Sequence, residues 1–171
     1  MNLLAGYFKE LLTKELSRGD VVVVSPDVGG VARARKFAVM LKTDIAIVDK
    51  RRSHEVANVS EVMDIIGDVG GRTAILVDDI IDTAGTICNA ARGLKERGCG
   101  PIYACATHGV LSDPAIDRIN ESYIKEMVFL DTIPFPEGHS SDKISYIPAA
   151  PMFAEAIRRI YEEVGLSSLF R

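Results

Sequence analysis

Short, almost wholly apolar runs alternate along this chain with longer segments in which apolar residues recur every three or four positions. A run with no polar face suits a strand covered on both sides, and the longer period suits a helix with one buried stripe. Their alternation predicts an α/β fold, with a mostly parallel sheet flanked by helices. Val21 to Val24 reads as a buried strand, Val31 to Leu41 as the helix after it, and Ile45 to Val48 as a second strand. Ala74 to Val77, Ile102 to Ala106 and Met127 to Leu130 supply further strands. The helical spacing of Ile87 to Arg97 ends at Gly98, a residue suited to closing a helix in the left-handed conformation. Asp113-Pro114 can open the next helix, because proline is tolerated in a first turn. Pro134 and Pro136 interrupt regular structure, and Ile144 to Ile147 reads as a last short strand. Met152 to Val164 reads as an amphipathic closing helix whose Met152, Phe153, Ile157 and Ile160 are expected in the core. Between the second and third strands, Arg51 to Asn58 is polar and without period, so an exposed loop is expected, mobile until ligand binds.

Composition narrows the function classes. The 171 residues suit one domain spanning 1–171, and 47% hydrophobic against 26% charged residues places the chain among folded rather than disordered sequences. A net charge of −4 speaks against a nucleic-acid surface; basic residues concentrate only locally, as in Lys50-Arg51-Arg52. Cys88, Cys99 and Cys105 are odd in number and lack C-x-x-C spacing, which points to free thiols rather than a disulfide framework or a zinc site. No apolar run reaches membrane-spanning length, and Met1 to Lys14 carries charge within an amphipathic pattern rather than a signal-peptide core. A cytoplasmic protein without a membrane partner is expected.

Chemistry concentrates in Val77-Asp78-Asp79-Ile80-Ile81-Asp82-Thr83-Ala84-Gly85-Thr86, which joins an apolar strand to a helix through an acidic, Thr/Gly-rich turn. Backbone N–H groups and the positive end of the helix dipole converge at such a junction, so Thr83, Ala84, Gly85 and Thr86 can cradle a phosphate without a basic side chain. Gly85 offers close approach or positive φ, and the threonine hydroxyls add donors. Asp78, Asp79 and Asp82 can accept hydrogen bonds from sugar hydroxyls at the carboxyl end of the strand, where open α/β sheets bind ligands. Asp and Thr are also common capping residues, so an Asp-rich helix cap without a ligand stands beside this reading. Asp27-Val28-Gly29-Gly30 follows the first strand; Gly29 and Gly30 could let the backbone curl around a diphosphate, or form a plain tight turn. Lys50, Arg51 and Arg52 could carry positive charge onto transferring phosphoryl groups, or be a solvated charge run. His54, His108 and His139 have no spacing that suggests a metal cluster.

The run from Val77 to Thr86 resembles the PRPP-binding signature of type I phosphoribosyltransferases, in the form used by the ribose-phosphate pyrophosphokinases. Other segments resemble that family in the same order. Ser25 to Ala34 is similar to its pyrophosphate loop, Asp49 to Arg52 to the head of its flexible catalytic loop, and Asn58 to Gly67 to the return from that loop. Ser112 to Ser122 and Ala154 to Ile160, followed by Ser167 to Phe170, also fit. The resemblance covers essentially the whole chain but about half of a family member, its C-terminal half. It implies diphosphate transfer from ATP to ribose 5-phosphate, giving PRPP and AMP, with Mg²⁺ as cofactor and a homo-oligomer, or a partner for an N-terminal half, as the assembly. By the same resemblance Lys50 and Arg52 are catalytic cations and Asp27 helps hold magnesium, while the half outside the resemblance supplies most of the ATP site. A nucleobase phosphoribosyltransferase or a non-catalytic subunit that binds ribose 5-phosphate or PRPP would use the same loop. The stretch Ser53 to Ala57 makes the catalytic loop about two residues longer than the family pattern, and Gly165 stands where the regulatory tail pattern has a serine.

Overall fold

A computed structural model describes residues 1–51 and 62–170. In chain order the elements are α1 (Asn2–Leu11), α2 (Thr13–Arg18), β1 (Val21–Ser25), α3 (Val31–Leu41), β2 (Asp44–Arg51), β3 (Val62–Ile66), β4 (Thr73–Val77), β5 (Ile80–Ile81), α4 (Gly85–Glu96), β6 (Ile102–Ala106), β7 (His108–Gly109), α5 (Ala115–Glu121), β8 (Ile124–Leu130), β9 (Ile144–Ile147) and α6 (Ala150–Tyr161), then a 3-10 turn at Ser167–Phe170. Seven strands form one sheet in the order β3-β2-β1-β4-β6-β8-β9. Every neighbouring pair is parallel except β2 and β3. β5 and β7 pair separately, as a two-stranded parallel ribbon.

All five residues of β1, β4 and β6 are buried, as expected of central strands covered on both faces. Their side chains alternate between two apolar layers. Val22, Val24, Leu76 and Ala104 pack with Ile87, Ala90, Ala91 and Leu94 of α4 and Ile116 and Ile119 of α5. Val21, Val23, Ile75 and Val77 pack with Leu4 and Phe8 of α1 and Phe37 and Leu41 of α3. α4 ends as its pattern predicts: Gly98 takes φ of 76°, and the Cys99 N–H returns to the Leu94 carbonyl at 3.1 Å.

The closing helix departs from expectation. No residue of α6 is buried, and Phe153, Ile157 and Ile160 are 56%, 67% and 63% exposed, so the residues expected in the core lie outside it. The amphipathic period is present, but the two apolar layers are already filled by α1, α3, α4 and α5. Ion pairs of Glu155 with Arg158 and Arg159, and of Arg158 with Glu162, line the helix instead. Among the described residues no helix is long and apolar enough to cross a membrane.

Candidate functional site

The sheet order reverses at β1: β2 lies on one side of it and β4 on the other. In an open α/β sheet the crevice outside the carboxyl ends of two such strands is where ligands bind. Here the loop after Ser25 leads into α3 and the turn after Val77 leads into α4, so both sequence motifs arrive at that crevice. They line a cleft of about 190 Å³ that brings together Asp27, Asp78, Asp82, Thr83, Ala84, Gly85 and Thr86. Asp79, Gly29 and Gly30 stand beside it rather than in its lining.

Local geometry speaks against the helix-cap reading of the acidic turn. α4 starts at Gly85, its N-cap residue is Ala84, and no side chain caps it. The aspartates and threonines therefore do not serve as helix caps, and the open N–H groups and positive dipole end face the cleft. The positive φ expected at Gly85 falls on Ala84, at 58°, because the chain turns one residue before the helix. Gly85 contributes space: a Cβ there would meet Arg118 Nη1 at 3.7 Å and Thr83 Oγ1 at 3.9 Å, ordinary contacts. Arg118, from α5, donates through Nη1 to the Thr83 carbonyl at 2.9 Å and so holds the turn from outside.

The loop after β1 is closed by its own side chains. Asp27 Oδ1 accepts the Gly30 N–H at 2.8 Å, and buried Ser25 donates through Oγ to the Asp27 carbonyl at 2.7 Å. A Cβ at Gly30 would lie 2.8 Å from Ser25 Oγ, so this position requires glycine. The Gly30 N–H is thus engaged within the loop, which leaves the free amides of a diphosphate cradle to other positions. Asp27 keeps Oδ2 clear of that bond, and an oxygen donor suits a hard cation. Among the described residues no group of three or more His, Cys, Asp or Glu side chains could hold a metal ion. Separate carboxylates at one cleft still fit Mg²⁺, which takes one or two of them and completes its shell with water and phosphate oxygens.

Asp78 and Asp79 are joined by a side chain that sequence reasoning did not single out. Arg33 of α3 donates through Nη1 to Asp78 Oδ1 at 2.6 Å and through Nη2 to Asp79 Oδ2. Burial pushes the Asp78 carboxyl up to about 6, against the opposing pull of the Asp79 backbone N–H and of Arg33. Burial pulls the Asp79 carboxyl upward, but its contacts with Asp78, Arg33 and backbone N–H groups together outweigh that and hold it below the ordinary carboxylate value. Two adjacent carboxylates are thereby driven apart in acidity, as interacting acids are. Lys50 and Arg51 belong to β2, where they pair with Met63 and Val62 of β3, so the strand runs further than its apolar core suggests. Arg52, and the rest of the segment expected to be mobile, lie outside the described residues.

The family described as phosphoribosyl synthetase-associated domain matches residues 53–171. The chain belongs to that family. As such a domain it is 57% identical, over 99% of its own length and 52% of the relative's, to a ribose-phosphate pyrophosphokinase of Clostridium perfringens. Its fold superposes on a phosphoribosylpyrophosphate synthetase of Mycobacterium smegmatis with a TM-score of 0.83 at 40% identity, covering 94% of this chain and 50% of that one. An adenine phosphoribosyltransferase, 16% identical, shares the fold with a TM-score of 0.56 over 75% of each chain. This phosphoribosyl synthetase-associated domain spans about half the length of the pyrophosphokinases it matches.

Proposed function

We propose that this domain is the sugar-phosphate side of a ribose-phosphate pyrophosphokinase: it holds ribose 5-phosphate while diphosphate is transferred from ATP, giving PRPP and AMP. The observation that carries the reading is the uncapped start of α4, opening onto an aspartate-lined cleft where the strand order reverses. The Thr83 to Thr86 turn holds the 5-phosphate through backbone N–H groups and hydroxyls. Asp78, Asp79 and Asp82 accept hydrogen bonds from the sugar hydroxyls. The C1 hydroxyl oxygen attacks the β-phosphorus of ATP and gives up its proton to solvent, the bond from the β-phosphorus to the oxygen it shares with the α-phosphorus breaks, and AMP leaves with that oxygen. Positioning and charge stabilisation dominate such a step, and Lys50 and Arg52 supply positive charge to it. Mg²⁺, when bound near Asp27, neutralises phosphate charge. A nucleobase phosphoribosyltransferase would place the same cradle under PRPP, but no segment of the sequence stands out as a base-recognising hood.

Titration calorimetry with ribose 5-phosphate tests the cradle. Gly85→Val places branched carbons beside Thr83 and Arg118, in space the glycine leaves to the phosphate, and is expected to weaken binding about tenfold. Equal affinities for wild type and variant would place the phosphate elsewhere.

A further inference from the structure

Arg33 lies in the first turn of α3, yet its guanidinium works at the junction after β4. Nη1 meets Asp78 Oδ1, which also accepts the Asp79 N–H at 2.9 Å, and Nη2 meets Asp79 Oδ2. On its other side the same group lies against the loop after β1, with Nη1 3.4 Å from where a Gly30 Cβ would be. One side chain of α3 thus reaches the junction after β4 while lying close to the loop after β1. Two successive carboxylates repel, and successive side chains of an extended segment tend to diverge. A planar fork with several donors is the group able to hold two of them in one orientation, which a lysine point charge is not. The guanidinium donates to one oxygen of each carboxylate, Asp78 Oδ1 and Asp79 Oδ2.

We propose that Arg33 is a positioning residue for sugar recognition: it clamps Asp78 and Asp79 so that their remaining oxygens form a paired acceptor for a vicinal diol. The clamp gives the site its preference for a ribose phosphate over a phosphate lacking that diol. This inference rests on the ribose 5-phosphate reading above and adds a residue, and a selectivity, to it.

The experiment compares wild type, Arg33→Met and Arg33→Lys by calorimetry against ribose 5-phosphate, 2-deoxyribose 5-phosphate and inorganic phosphate, with thermal melts as a control on folding. Hydrogen bonds to charged acceptors set the scale, so wild type is expected to favour ribose 5-phosphate over the deoxy sugar by about tenfold or more. In Arg33→Met that preference falls below about threefold while affinity for inorganic phosphate is unchanged; Arg33→Lys keeps a charge, loses the fork and falls between the two. If the methionine variant does not fold, Arg33→Lys, which loses the fork, carries the comparison. A variant that keeps the full preference, or that loses all three ligands by one common factor, overturns the positioning role and leaves the ribose reading intact. A wild type that binds ribose 5-phosphate no better than inorganic phosphate overturns both.

Discussion

Asp78 combines a half-buried carboxyl with the acceptor role proposed for it. Its value of about 6 in the folded chain exceeds the ordinary 3.8. Below 3.8 both folded and unfolded chains hold the proton, and the group is neutral with respect to folding. Between 3.8 and about 6 the unfolded chain has lost a proton that the folded chain keeps, so stability falls as pH rises and the full cost is present above about 6. Asp78→Asn is therefore expected to raise the melting temperature at pH 8, by an amount equivalent to about 1–3 kcal/mol, and to leave it unchanged near pH 4. Shifts of the same size at both pH values would contradict the burial argument. At this scale the sequence displays what is contiguous: Asp78 to Thr86 is one unbroken acidic, Thr/Gly-rich run, the composition on which the phosphate and sugar reading rests. It does not display Arg33 or Arg118, which reach the turn from 45 and 35 residues away along the chain. No local pattern marks a guanidinium for a partner at that separation.

Among the elements, α4 and α6 have the same apolar period and opposite fates. Leu94 of α4 is fully buried, whereas Ile157 of α6 is 67% exposed. Leu94→Ala is expected to cost about 2–5 kcal/mol in denaturant unfolding and Ile157→Ala less than about 0.5 kcal/mol. Comparable losses would show that α6 packs on the sheet after all. Periodicity reveals that a helix has an apolar face but not what the face meets, so the sequence marks α6 as an amphipathic helix without showing that its apolar face is exposed, while α3, β6 and β9 match their expected limits residue for residue. β3 escaped notice as an edge strand whose Val62-Met63-Asp64-Ile65-Ile66 run is broken by a charge. β5 and β7, at two residues each, are too short to show any period.

For the whole molecule, the half-length match to the pyrophosphokinases bears on rate. The resemblance assigns most of the ATP site to the half that this chain does not match. Phosphoryl transfer depends on both reactants being held in line, so a held acceptor alone gains little. A protein of these 171 residues is expected to bind ribose 5-phosphate and to release AMP from ATP far more slowly than the roughly 1–1000 per second of ordinary enzymes. An AMP-release assay with ATP, Mg²⁺ and ribose 5-phosphate checks this; ordinary turnover would put an ATP site on this chain.

The cleft hangs from β1 and β4, the neighbouring strands at the middle of the sheet, and both are buried along their entire length. Amide protons in such strands exchange with solvent only when the sheet opens as a unit, whereas α6 can fray without disturbing them. A sugar phosphate seated at their ends cannot be released by loosening the periphery, so its binding free energy is felt as protection throughout the sheet, growing with ligand concentration as mass action requires. Occupancy of one small cleft at the strand ends would thus be legible in the slowest-exchanging protons of the protein, far from any atom the ligand touches.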